Sequence, residues 1–457
     1  MEKLADANMN DVHFFAAAED FLLLDVNSGN IFIIDEPTMV ALNALLTVKG
    51  NWKDAEDLLS GEAGEALREL YELTVAGELF TPDAYFGKYE PPAPVLKSLC
   101  LNISHDCDLR CAYCFASTGS FGGKRLNMPL EVATAAIDYL LENSADRRTL
   151  EVDFFGGEPL MNIDVVMVTV AYAKEQEKQY NKQIRFTFTT NCVSLTPEIS
   201  KWAFANGIKV ILSHDGRKKV HDAMRVFADG SGSYDIVTAN IRKHLKNDPR
   251  ETYYVRGTFT ALNKDFTNDI LHWLDLGFKH ISMEPAVEKY GNRAFKEADL
   301  DTVRKEYWRL TKLYDAKREM GEGFDFFHFN IDVEHGPCLP KRLTGCGAGH
   351  AYMVVTPEGE LYPCHQFVGR EQYRLGSLSE GVVKTDIVEK FRHAHVYNKE
   401  KCRECWARFH CSGGCHANAD LFNEDILKPY AIGCELARMR TECALWLSVQ
   451  DMYRNRD

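Results

Sequence analysis

The sequence predicts an α/β protein: a partial (β/α)6 barrel, preceded by a winged-helix-like module and followed by a cysteine-rich domain. Three observations lead there. Between residues 95 and 325, six short apolar runs alternate with amphipathic segments of helical period, the mark of parallel βαβ units. Residues 1–90 combine hairpin and helix patterns and end in a proline-rich joint. Residues 330–457 hold nine of the 14 cysteines. At 457 residues the chain has room for two or three domains, each able to bury a core.

The elements follow in order. DVHFFAAAEDFLLLDVNSGNIFIID reads as two apolar runs joined by Asn27-Ser28-Gly29-Asn30, hairpin punctuation. EPTMVALNALLTV and EALRELYELTVAGELF repeat apolar residues at helical spacing. Tyr89-Glu90-Pro91-Pro92-Ala93-Pro94 is a stiff linker, because proline pins the backbone extended. The six strands are LCLNIS, EVDFFGG, IRFTFTTN, KVILSHDG, YYVRGTFTAL and HISMEPAV. Helices are expected near 129–144, 161–181, 196–206, 234–247, 266–276 and 298–320. In such barrels chemistry sits at the C-terminal strand ends. The last region has short segments and many glycines, so metal is expected to replace much of an apolar core there.

Composition excludes several classes. Hydrophobic residues at 45% and charged residues at 26% are ordinary for a globular protein. No apolar run approaches the roughly 20 residues of a membrane span, and MEKLADANMN lacks a secretory pattern, so the expected location is cytoplasmic, with no membrane partner. Residues 1–90 carry 18 acidic against 5 basic side chains, a net −13 of the whole chain's −14. Without basic patches no nucleic-acid partner is expected. The acidic module suits a basic or amphipathic peptide through electrostatic steering, or is a solvated face kept for solubility. Fourteen cysteines in a reducing compartment are not a disulfide framework but point to metal or catalytic use.

Cys107, Cys111 and Cys114 form a C-x3-C-x2-C triplet just after the first barrel strand. Tetrahedral zinc sites take four protein ligands and four-cysteine clusters are closed. An odd triplet therefore suits a reactive cluster with one open metal, with zinc the alternative for soft thiolates. After the second strand stands Gly156-Gly157-Glu158-Pro159, where glycines permit close backbone approach and Glu158 offers an acceptor to an ammonium. Alone, it reads equally as a strand-to-helix turn with Pro159 at the first helical position.

Triplet, GGEP and βα repeat together resemble the radical S-adenosylmethionine superfamily. The resemblance implies that Cys107, Cys111 and Cys114 hold a 4Fe-4S cluster whose open iron is chelated by the methionine amino and carboxylate groups. It further implies that Glu158 accepts from the methionine ammonium, with Gly156 and Gly157 beside it. Tyr113 would lie near the adenine, Thr190, Asn191, Ser213 and Asp215 at later strand ends, and Arg225 against the methionine carboxylate. Cys192 stands where glycine is usual and His214 where an apolar residue is usual. The alternative for Arg225 is a surface ion pair with Asp222 or a neighbour. Cys100 and Cys192 read as small hydrophobes of the core.

Downstream, Cys346, Gly359 with Cys364, Cys402-x2-Cys405-x5-Cys411-x3-Cys415, and Cys434 resemble the seven-cysteine SPASM pattern. The resemblance implies two auxiliary clusters: Cys346, Cys364 and Cys415 on one, and Cys402, Cys405, Cys411 and Cys434 on the other, making three 4Fe-4S clusters in all. The first has three ligands, so either Cys338 completes it or a position stays open to a substrate thiolate. Cys443 reads as core. A zinc ribbon at Cys402, Cys405, Cys411 and Cys415 would leave the triplet and GGEP unexplained.

The strings HDCDLRCAYCFASTGSFGGK, LEVDFFGGEPLMN, MRVFADGSGSYD, YYVRGTFT, FHF, LYPCHQFVG and CSGGCHAN resemble maturases of six-cysteine peptides, over about residues 95–445. This implies a radical SAM thioether synthase using S-adenosylmethionine. It would join cysteine sulfur to a side-chain carbon of a cysteine-rich precursor peptide (ranthipeptide type), the leader bound by residues 1–90 and electrons supplied by a donor such as flavodoxin or ferredoxin. Alternatives are an α-carbon, sactipeptide-type synthase or an anaerobic sulfatase-maturing type of enzyme. Arg256 and Glu284, at later strand ends, would contact peptide or cofactor, or else be held in a satisfied interior ion pair. The sequence identifies no general base.

Overall fold

A computed structural model describes residues 4–249, 251–331 and 338–454. The acidic module begins with β1 (Val12–Ala17), β2 (Asp20–Asp25) and β3 (Ile31–Ile34), an antiparallel sheet in that order. The run expected as one strand is thus two. Ala18 adopts a left-handed φ of +55° and, with Glu19, turns the chain so that Ala17 pairs with Asp20. Helices Glu36–Thr47, Trp52–Leu58 and Gly61–Ala76 follow. Asp35 and Asn51 cap the first two through Thr38 N and Asp54 N. Leu23, Leu42, Leu45, Trp52, Leu67 and Leu70 form the module's core.

The six expected barrel strands are β4 (Ser98–Ser104), β5 (Thr149–Gly156), β6 (Gln183–Thr190), β7 (Lys209–Ser213), β8 (Tyr253–Phe259) and β9 (His280–Pro285). Neighbours pair in parallel from β4 to β9. The intervening helices are Leu130–Glu142, Ile163–Tyr180, Pro197–Ala205, Tyr234–Asn247 and Thr267–Asp275, with Leu300–Glu319 after β9. Strand faces alternate: Leu150, Val152 and Phe154 are buried under the helices, whereas Glu151, Asp153 and Phe155 on the other face are only half-buried. That second face leaves room for ligands.

Two features differ from the expectation. A two-residue strand, β10 (Asp325–Phe326), extends the barrel sheet beside β9. The cysteine-rich region also continues the sheet at its other edge. There β11 (Tyr352–Val355) pairs in parallel with β4, Val354 opposite Cys100, and leads through antiparallel β12 (Glu360–Tyr362), β13 (Gly376–Ser377) and β14 (Gly381–Val382). Its apolar core around Phe367, Tyr373, Phe391 and Ile426 is shared with the barrel through Cys100, Ala116 and Phe121. Its closing helix, Ala431–Arg454, is long rather than short and packs on Leu300–Glu319 and β1. Trp446 Nε1 and Gln450 Nε2 donate to Asp20 at 2.9 and 3.0 Å, tying this helix to the acidic module. Among the described residues no helix is long and apolar enough to cross a membrane.

Candidate active site

The loop after β4 carries the cysteine triplet and is held from three sides. Gly157 N donates to Ser104 O at 2.7 Å and Glu158 N to Asp106 O at 2.9 Å. Arg110 N and Ala112 N donate to Val226 O and Met224 O at 2.7 and 2.8 Å. Arg125 pairs with Asp106. The glycines of GGEP make this contact possible. A Cβ on Gly157 would stand 2.1 Å from Asp106 O, and one on Gly156, whose φ is +123°, 2.4 Å from Ser104 O. Gly156 and Gly157 therefore seat the cysteine loop against β5.

Cys107, Cys111 and Cys114 are free thiols, each half-buried. Burial pushes Cys107 up and Cys111 up to about 11, Arg225 opposing the shift at Cys111. Thiolates here need a cationic partner such as an iron core. Among the described residues no three His, Cys, Asp or Glu side chains converge on one ion position.

Glu158 is buried at 1% exposure, and desolvation raises its carboxyl to about 7. It accepts from Leu160 N, Thr190 Oγ1 and Asn191 N at 3.0, 2.8 and 2.7 Å, leaving a fourth acceptor direction for an ammonium. Thr190 thus orients Glu158. Asn191 faces the cysteine loop, its Nδ2 donating to Asp108 Oδ1 at 2.6 Å and lying 3.6 Å from Cys107 Sγ. Asp215, fully buried, accepts from Tyr113 at 2.5 Å and from Thr258 N at 3.0 Å, and pairs with Arg225 Nε at 3.0 Å. The Arg225 guanidinium lies over the Tyr113 ring at 5.6 Å. Arg225 does not pair with Asp222, which instead accepts from Tyr234 N. Ser213 closes β7, half-buried and opposite Arg256.

The two departures have physical reasons. Cys192 is fully buried with a φ of +67°, a conformation natural to glycine. His214 is a core group whose Nδ1 accepts from Gly216 N and Trp273 Nε1 at 3.1 and 2.9 Å, while Nε2 meets Thr238. Cys100 and Cys443 are also buried, at 1% and 0% exposure.

Downstream, the seven cysteines fall into two groups. Cys364 and Cys415 are electrostatic neighbours of each other and of Cys346. Cys402, Cys405, Cys411 and Cys434 line a cavity of about 180 Å³ together with Arg408 and Arg438. Cys338 is exposed at the start of the helix Leu339–Thr344, beside Tyr89 of the linker, and the first two residues of its string GPCLPKRLTGCG lie outside the described residues.

Between the barrel mouth and the cysteine-rich domain lies a cavity of about 700 Å³ whose wall includes Glu284, Phe327, His328, Cys415 and Arg440. Burial alone would raise the Glu284 carboxyl, but the Arg256 and Arg440 guanidiniums hold it below its ordinary value. Arg256 pairs with it at 2.9 Å. His328, kept neutral by burial with its pKa near 3, sits 3.3 Å from Arg440 and 3.1 Å from Ser282 Oγ. Sequence reasoning missed His328 and Arg440. Arg440 reaches this wall from the last helix, and a lone arginine there carries no local signal.

Residues 101–243 match the family model of the Radical SAM superfamily, and residues 346–406 that of SPASM, an iron-sulfur cluster-binding domain. A cysteine-type anaerobic sulfatase-maturating enzyme of Clostridium novyi (strain NT) is 24% identical over 351 residues, covering 71% of this chain and 90% of the relative. An uncharacterized protein of Methanocaldococcus jannaschii is 30% identical over 209 residues, 43% of this chain and 69% of its own. Among solved structures, anSMEcpe with bound AdoMet gives a TM-score of 0.67 at 20% identity, covering 79% of this chain and 96% of that one. Streptococcus suis SuiB bound to S-adenosylmethionine gives 0.54 at 16% identity, covering 92% and 97%. SuiB has also been solved bound to its precursor peptide SuiA. These structural likenesses concern the fold.

Proposed function

Since the chain belongs to the radical SAM superfamily and carries a SPASM domain, we propose that it joins cysteine sulfur to a side-chain carbon of a ribosomally made, cysteine-rich precursor peptide. Its general class is a radical SAM, SPASM-type maturase. The thiols fit the cofactors this class uses: a triplet on a loop fixed by GGEP, a four-thiol cavity, and a second group of three thiols. When bound, S-adenosylmethionine and the cluster at Cys107, Cys111 and Cys114 supply hydrogen-atom abstraction from an unactivated carbon.

The chain's own residues do the rest. Gly156 and Gly157 fix the cysteine loop, Glu158 offers its free acceptor direction to the methionine ammonium, and Asp215 locks Tyr113 and Arg225 into one wall. The large cavity, lined partly by Pro285, Val287, Phe295 and Leu436, offers apolar wall to a core peptide.

One observation carries the thioether reading. Cys346 and Cys415 are electrostatic neighbours of Cys364, and Cys415 borders the cavity, which supports reading the fourth position of that group as open to a substrate thiolate. The leader would add to β3, an edge strand with no partner on one side among the described residues, in the strand-addition mode of peptide capture. The external electron donor belongs to the same proposal. Incubating the reconstituted enzyme with reductant, S-adenosylmethionine and such a peptide tests it: each link removes two hydrogens, keeps the sulfur and abolishes one iodoacetamide-reactive thiol. Cys338→Ala is expected to keep full iron content and activity, and loss of one cluster would refute the open position.

A further inference from the structure

Among the described residues Lys399 is the most deeply buried cation, at 0% exposure. Its backbone carbonyl accepts from Cys402 N and Arg403 N at 2.8 and 3.0 Å, opening the short helix that carries Cys402. Its Nζ crosses to the next loop and donates to Gly413 O at 2.8 Å, between Cys411 and Cys415. Gly413, at φ +84°, leaves the space for this, since a Cβ there would lie 3.2 Å from Nζ.

Among the described residues no carboxylate pairs with this ammonium. A buried charge without a counter-charge costs several kcal/mol, and burial does lower the Lys399 pKa. The groups around it that oppose the shift are Cys402 and Cys411 of the four-thiol group and Cys346 and Cys415 of the three-thiol group. Lys399 is thus flanked by two thiols from each proposed cluster. Only one of its three N–H donors is used by Gly413.

We propose that Lys399 is a positioning residue shared by the two auxiliary clusters, a fixed positive charge between them that favours the reduced form of both. One-electron reduction adds one negative charge to a cluster, and a nearby ammonium in a low-dielectric interior stabilises that charge. The inference rests on reading the seven cysteines as two cluster sites and is independent of which bond the enzyme forms.

Potentiometric titration followed by electron paramagnetic resonance on the cluster-loaded protein tests it. Lys399→Gln keeps a donor for Gly413 O and removes the charge. It should shift the reduction equilibria of both auxiliary clusters roughly 10-fold toward oxidised, about 59 mV for a one-electron couple, and leave the cluster at the Cys107 triplet unmoved. Lys399→Arg, which keeps the charge, should stay closer to wild type than the glutamine variant. Unchanged potentials, a shift in only one auxiliary cluster, or an equal shift in the arginine variant overturns the proposal. If Lys399→Gln cannot be loaded, loss of both auxiliary clusters with circular dichroism unchanged supports it, and loss of one alone, or of the overall fold, overturns it. Wild-type protein without auxiliary iron would instead refute the cluster assignment itself.

Discussion

Gly157→Ala probes the contact that seats the cysteine loop. The added Cβ would stand 2.1 Å from Asp106 O, 2.6 Å from its carbonyl carbon and 2.9 Å from Gly119 Cα. Ordinary contact begins at 3.4 Å, so the carbonyl must retreat by about 1.3 Å. This carbonyl accepts from Glu158 N at 2.9 Å and belongs to the residue before Cys107, so the retreat moves the first thiol of the triplet and loosens the residue meant for the methionine ammonium. Forcing such a shift in packed backbone costs roughly 1–3 kcal/mol, and misplacing reacting groups by about 1 Å costs on the order of 100-fold in rate. The assay is anaerobic release of 5′-deoxyadenosine alongside urea unfolding. The variant should release it about 100-fold more slowly and unfold at lower urea. Gly64→Ala, whose Cβ comes no nearer than 3.8 Å to another residue, should match wild type in release. Wild-type release and an unshifted urea midpoint in Gly157→Ala would refute the close approach and with it the seating role of GGEP.

Other consequences follow from particular contacts. Asp215→Ala strands the buried Arg225 guanidinium and should cost about 3–5 kcal/mol by urea unfolding, with part recovered in Asp215→Ala/Arg225→Met; a loss under about 1 kcal/mol would contradict the pairing. Burial lowers the His221 pKa to about 3 from an ordinary 6.5. Its contribution to stability is then complete above pH 6.5 and is lost as pH falls from there toward 3. Thermal unfolding at stepped pH should show this decline, less steep in His221→Asn, and identical slopes would count against it. Ile33→Lys puts a positive charge on the outer β3 strand at a residue 46% exposed, opposing a basic leader there. It should weaken leader binding about 10-fold in fluorescence anisotropy, and unchanged binding would remove β3 as the docking edge.

The barrel was legible because each strand and helix announces itself locally. The amphipathic stretch expected at 234–247 is the helix Tyr234–Asn247, and that expected at 298–320 is Leu300–Glu319. What stayed hidden depends on distant parts of the chain. Four residues, Tyr352–Val355, are too few for a periodic signal, and only the free edge of β4 decides that they join the barrel sheet. The Ala18 turn lacks the glycine or asparagine that usually marks a left-handed residue. At the site, the cysteine spacings separate the triplet from the downstream thiols. They do not reveal that Thr190 and Asn191 spend their side chains on Glu158 and Asp108, because both partners arrive from other strands. Lys399 and Arg440 were unreadable for the same reason: a single cation acquires meaning only when thiols or carboxylates gather around it from elsewhere.

The reaction itself is tested most directly by following deuterium from peptide to cofactor. With a precursor deuterated in turn at the acceptor side-chain carbon, at the acceptor α-carbon and at the cysteine β-carbon, mass spectrometry of the released 5′-deoxyadenosine identifies the hydrogen abstracted. Deuterium should enter only from the acceptor side-chain carbon, while the peptide loses two hydrogens per link and keeps its sulfur. Transfer from the α-carbon, transfer from the cysteine β-carbon with loss of sulfur, or no transfer at all would contradict side-chain thioether formation.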